Sequence, residues 1–307
     1  SYIQPTSDGK KPFTEKYDAL INFKLAKYDI LHNFKNNAEV LDGVDTIINR
    51  IRNNSNLTVE SFKITGYASP EGTPQYNMNL SKNRAESFVS YLRAKYGIPT
   101  DRISTDWKGQ DWDGLLAVVR RADIRDKEEI ISILENESDP NARTRKLKQL
   151  SGGSTYHTLL QDYYPRLRRN EYAISYTSRP FTVEEARVLI KTTPQHLGPN
   201  EMCLVANTYQ KNGREYKEVL DTAVKYYPTN EMILLNLANY ELENGNSDKA
   251  IDLLMRINTP EAWNNLGIAY CRKGEHERGK QYFQRASQAG LDAATRNAEE
   301  LSRRLVV

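Results

Sequence analysis

The side chains best suited to chemistry fall in one stretch, Gly66 to Arg84. Arg84 lies seven residues after Asn77, two turns along a helix and on the same face. An arginine fork grips a carboxylate through two parallel hydrogen bonds. Asn77 stands where it can cap that helix, and the amides of a helix start favour an anion. A purely structural role is open to each: Asn77 as a cap alone, Arg84 as a tie to a neighbouring strand through a carboxylate. Gly66 and Gly72 suit turn geometry, and Leu80 and Ala85 suit a core.

Other chemistry finds little support. Asp111-Trp112-Asp113-Gly114 begins like a calcium loop but lacks the further ligands and the closing glutamate. The four histidines, His32, His157, His196 and His276, are scattered, with no H-x-x-x-H spacing and no cysteine beside them. Cys203 and Cys271 sit in apolar helical patterns outside any C-x-x-C, as expected of free thiols packed in a core. Gly152-Gly153-Ser154 lacks the lysine of a phosphate loop. Glu128-Glu129 reads as a charged helix face. Tyr163-Tyr164-Pro165 suits either a ligand platform or packing against a sheet. No catalytic constellation emerges, so the expectation is a non-enzyme without metal or cofactor.

Composition narrows the partners. There are 43 basic and 40 acidic residues, a net charge of +3, which leaves no electrostatic footprint for nucleic acid. The most basic stretch, Arg166-Leu167-Arg168-Arg169, reads as a solvated or ion-paired turn. Mean hydropathy is -0.72, and no apolar run reaches the roughly 18 residues of a membrane-spanning helix. No apolar leader opens the chain, so any secretory signal is expected to have been removed already. Residues 1–17 read as a linker.

The elements that must position Arg84 form a mixed pattern up to about residue 180. Leu20 to Ala26 alternates, with Ile21, Phe23 and Leu25 on one face, predicting a first strand. Leu41, Val44, Ile47, Ile48 and Ile51 make a helical stripe opened by Asn37. Val59–Gly66 is the next strand, Ala68–Pro74 a loop, and Asn77 to about Tyr96 a helix stopped by Gly97 and Pro99. Arg102–Trp107 and Tyr172–Thr177 complete four strands. The order is an α+β arrangement, an α/β sandwich with helices on one face. From residue 181 the chain is all-helical.

The segment Gly66-Tyr67-Ala68-Ser69-Pro70-Glu71-Gly72, Tyr76-Asn77, Leu80-Ser81 and Arg84-Ala85 resembles the C-terminal domain of the OmpA family, as do Gly97–Ile103 and Leu167-Arg168-Arg169-Asn170. The resemblance covers residues 18–180, with a helical insertion at about 117–161. Trp263, Leu266, Gly267 and Tyr270, then Gly274, Phe283 and Ala286, resemble the tetratricopeptide (TPR) signature. Weaker copies start near Leu234 and Pro199, with periods below the usual ~34 residues. Residues 181–307 are therefore expected to be a TPR solenoid closed by a helix at Asp292–Leu305. Similar OmpA-plus-TPR chains occur in Bacteroidales-type envelopes.

The OmpA resemblance implies non-covalent binding of peptidoglycan, mainly through the diaminopimelate of the stem peptide. That group carries a carboxylate and an ammonium at one carbon. Arg84 would take the carboxylate, with Asn77 and Arg168 beside it. Where the family has an ammonium-binding aspartate, this chain has Ser69, and Glu71 is the only nearby carboxylate. Losing that ion pair would cost on the order of 1–3 kcal/mol. Two functions follow from the resemblances. One is an anchor at the periplasmic face of the outer membrane that holds peptidoglycan and recruits a protein through the concave TPR face. The other is an assembly protein of the outer membrane or a surface appendage whose peptidoglycan site is retired.

Overall fold

A computed structural model describes residues 4–24 and 27–305. It divides into an α/β unit, Pro12–Ser178, and a helical unit that comprises Arg179 onward together with the N-terminal segment up to Lys11.

The α/β unit holds β1 (Lys11–Ala19), α1 (Asn37–Arg52), β2 (Leu57–Ala68), α2 (Pro74–Tyr96), β3 (Ile103–Gln110) and β4 (Asn170–Ser178). Between the last two strands come α3 (Trp112–Arg121), α4 (Lys127–Asn136), α5 (Pro140–Gln149) and α6 (Ser154–Thr158), the last continuing through a π-helical turn, Leu159–Tyr163, and a 3-10 turn, Tyr164–Leu167. The sheet order is β1-β4-β2-β3. β2 runs parallel to β3 and antiparallel to β4, with Gly66 opposite Trp107 on one side and Asn170 on the other. Leu41, Val44, Ile48 and Ile51 of α1 and Ala85, Phe88, Val89 and Leu92 of α2 form one core with Phe62, Ile64, Tyr172 and Ile174 of the sheet.

Three sequence expectations are corrected here. The first strand is Lys11–Ala19, so residues 11–17 of the expected 1–17 linker are sheet. Its alternation runs through Phe13, Glu15 and Tyr17, where Phe13 stacks on Tyr176 and Tyr17 lies against Tyr172. Residues 20–24 are irregular, and Leu25 and Ala26 lie outside the described residues. The insertion is wider than 117–161: the helices between β3 and β4 build a separate core from Trp112, Leu115, Val119, Ile130, Leu134, Leu147 and Leu159. Tyr163 and Tyr164 pack in that core rather than on the sheet. Asp111, the apparent calcium ligand, instead caps α3 by accepting from Gly114 N at 2.9 Å and pairs with Arg169 at 2.5 Å.

The helical unit holds α7 (Val183–Thr192), α8 (Pro199–Ala206), α9 (Arg214–Tyr226), α10 (Glu231–Glu243), α11 (Ser247–Leu254), α12 (Pro260–Arg272), α13 (His276–Gln288) and α14 (Asp292–Leu305). Short turns join α8 to α9, α10 to α11 and α12 to α13, and each pair packs together. In the last pair a Cβ on Gly267 would stand 2.5 Å from the Phe283 ring, and one on Gly279 2.9 Å from Gly267 O. Only glycine permits that approach, which is the packing the TPR spacing encodes. The segment around Asp8 and Lys11 is held against the helices. Asp8 accepts from Asn200 N at 3.2 Å and Glu201 N at 2.8 Å, capping α8. Lys11 Nζ meets Glu201 at 2.5 Å, both side chains buried.

Candidate functional site

The helix that carries Arg84 starts earlier than Asn77. Thr73 is its cap, its hydroxyl accepting from Tyr76 N at 3.2 Å, with Pro74 in the first turn. Gly97, at φ 63°, ends it as expected. Asn77 is therefore a buried first-turn residue. Its Nδ2 donates to Glu71 O and, at 3.2 Å, to Thr73 O. Asn77 shapes the 69–73 loop and leaves anion binding to others.

Two close approaches set the height of α2 over the sheet. A Cβ on Gly66 would fall 2.3 Å from Ser81 O and 2.9 Å from the Ala85 Cβ. Ser81 Oγ in turn accepts from Gly109 N at 3.0 Å, tying α2 to β3. One turn beyond Ser81, Arg84 opens into a cavity of about 700 Å³ shared with Ser69, Glu71, Asn77 and Arg168. The structure brings all five sequence-predicted residues together.

Their charges are arranged unequally. Arg168 Nε donates to Ser69 Oγ at 3.0 Å, and its Nη2 pairs with Glu71 Oε2. Ser69 donates to the same Glu71 oxygen at 3.1 Å. Glu71, which sequence alone offers as a stand-in for the family aspartate, is thus held by the chain's own arginine. Arg84 forms no ion pair with any described residue, and its buried Nε has no hydrogen-bond partner. Its guanidinium lies 4.8 Å from the Phe23 ring centre. Burial, and then the charge of Arg168, push its pKa down. A structural tie from Arg84 to the closing strand is not made.

Sequence reasoning missed Asn22, Phe23, Lys35 and Arg166, which also line the cavity. Phe23 carries a signal in sequence, its apolar character, but the alternation around it predicts a strand. The segment that presents it is irregular and is pinned by Asn37. That fully buried side chain accepts from Asn22 N at 2.7 Å and donates to Asn22 O and Leu31 O, each at 2.9 Å.

Sheet, capped loop and arginine-lined cavity together define an OmpA-like domain, carried here with TPR-type helical repeats. Residues 19–114 match the OmpA family, so the chain contains an OmpA-family domain; the match ends inside α3. Outer membrane protein 41 of Porphyromonas gingivalis is 48% identical over 52 residues, 17% of this chain and 13% of that protein. Outer membrane protein A of Serratia marcescens is 35% identical over 86 residues, 27% of this chain and 24% of that protein. The chain thus spans a quarter or less of the length of these relatives. A thermophilic TPR protein of Thermus thermophilus superposes at 18% identity and a TM-score of 0.30, covering 76% of this chain and all of that one. The repeat assignment rests on the helix pairs and glycine contacts above.

Proposed function

We propose that the chain is a non-enzymatic cell-envelope protein whose OmpA-family domain associates non-covalently with peptidoglycan. The observation that carries this is Arg84, a cation without an ion-pair partner among the described residues, opening into a cavity sized for a small ligand. A stem-peptide carboxylate on its guanidinium would supply the missing partner. The relatives are outer membrane proteins by name, which supports a place at the periplasmic face of that membrane. The helical repeats bind a protein partner in this reading. A groove of about 430 Å³ lined by Ile268, Arg272, Asn297 and Leu301 offers it a surface between α12 and α14. Sedimentation with purified sacculi tests the first half. Wild type co-sediments and Arg84→Ala stays in solution; equal co-sedimentation of the two sinks the proposal.

One observation favours a second reading, an assembly protein of the outer membrane or a surface appendage with a retired site. Ser69 is neutral and Glu71 is engaged by Arg168, so among the described residues that line the cavity no free carboxylate awaits an ammonium. That reading expects no sacculus binding by wild type and a stable protein complex recovered from envelope extract.

A further inference from the structure

The charged side chains lining the cavity are Lys35, Arg84, Arg166 and Arg168 against Glu71 alone. Glu71 Oε2 already receives Ser69 Oγ and Arg168 Nη2. A ligand ammonium placed there must share the carboxylate with a guanidinium, in a cavity where cations already predominate. Its attraction to the pair is largely cancelled by its repulsion from Arg168. The opposite half of the cavity is different. Arg84 has a desolvated donor and no competing acid among the described residues, and Phe23 under the guanidinium holds it in place without neutralising it. Arg166 and Lys35 add positive potential at the rim from two further segments, the turn before β4 and the loop before α1. Ser69, 4% exposed, gives the floor a neutral hydroxyl where a second carboxylate would have balanced the charge.

We infer that this cavity recognises its ligand through carboxylates and is nearly indifferent to the ammonium group. Its ligand class is an unamidated, carboxylate-bearing peptide end or stem residue. The inference rests on the peptidoglycan reading of the same cavity and narrows it to stems whose diaminopimelate carboxylates are free. Masking such a carboxylate as an amide removes the group that Arg84 and its cationic neighbours attract. Removing the distal ammonium leaves that attraction intact.

Three synthetic stem peptides, titrated calorimetrically into the full chain, test this. One ends in meso-diaminopimelate, one in 2-aminopimelate, which lacks the distal amine, and one in the diaminopimelate amide. The 2-aminopimelate peptide is expected to bind within about threefold of the parent and the amide at least tenfold more weakly, since the amide leaves Arg84 no charge to pair with. Equal binding of all three overturns the inference, as does a larger loss for the 2-aminopimelate peptide than for the amide. If none binds while sacculi still co-sediment with the protein, the inference fails alone. If sacculi fail too, it falls with the peptidoglycan reading. Glu71→Gln supplies an independent arm: parent-peptide binding is expected to hold or rise, and a tenfold loss overturns the inference.

Discussion

Arg84→Met separates a binding residue from a structural one. Methionine keeps an unbranched stem beside Phe23 and removes the guanidinium. In the free protein the buried Nε has no partner, and an unsatisfied buried donor costs about 1–3 kcal/mol. The ring contact with Phe23 at 4.8 Å offsets about 0.5–1 kcal/mol of that. The difference makes Arg84→Met stabilise the α/β unit by roughly 0.5–2 kcal/mol. The same change removes a charged hydrogen bond to a bound carboxylate, worth about 1.5–3 kcal/mol, or roughly ten- to hundredfold in affinity. Amide hydrogen exchange at β2 and β4 reads the stability of this unit by itself, and sacculus sedimentation reads the binding. Slower exchange with lost binding is the expected outcome. Faster exchange of those amides in the variant would make Arg84 a structural side chain and refute the reasoning.

Further outcomes follow from the packing and the charge pairs. Gly66→Ala drives a methyl to 2.3 Å from Ser81 O, so α2 must lift; urea unfolding should show a loss of about 1–3 kcal/mol, and a loss below 0.5 kcal/mol would contradict the close approach. Lys11→Met strands Glu201, 4% exposed, without its partner at 2.5 Å; breaking a buried pair costs about 3–5 kcal/mol, and Lys11→Met with Glu201→Gln should recover much of it. In α7 the Arg179 hydrogen bond, and then the Thr182 amide, lower the Glu185 pKa from 4.5 to about 2. A carboxylate depressed in the folded state contributes stability above its unfolded pKa and loses it as pH falls toward the folded one. Acid titration followed by α7 amide exchange should therefore show destabilisation between pH 4.5 and about 2. Glu185→Gln should remove that pH dependence, and an unchanged profile would show that another group controls the segment.

Local pattern was enough for much of this molecule. The stripe Leu41, Val44, Ile48 and Ile51 fixes α1 because an apolar face at helical spacing has one sensible orientation. Gly97 and Pro99 stop α2 for reasons internal to the backbone. Gly267 and Phe283 announce a tight helix pair. The first strand was harder to read. In sequence the apolar alternation of Leu20 to Ala26 outweighs the polar strand Lys11–Ala19, whose Phe13 and Tyr17 gain their meaning from Tyr176 and Tyr172 across the sheet. Thr73 rather than Asn77 caps α2 because Asn77 is buried under the loop it ties.

The chain's order of residues thus determined the Gly66–Arg84 loop and helix start, the cationic Arg84 and the neutral Ser69, since each is written in contiguous sequence. Tertiary structure decided what those residues mean for one another. Arg168 reaches Ser69 and Glu71 from 99 and 97 residues away, and Asp8 caps a helix 193 residues on. Phe23 slides under Arg84 because Asn37 buries itself among the backbone groups of the preceding loop. Such pairings depend on which segments the sheet order brings together, and no local periodicity encodes that. Charge type is a property of the residue, while the partner that neutralises it, or leaves it free for a ligand, is a property of the fold.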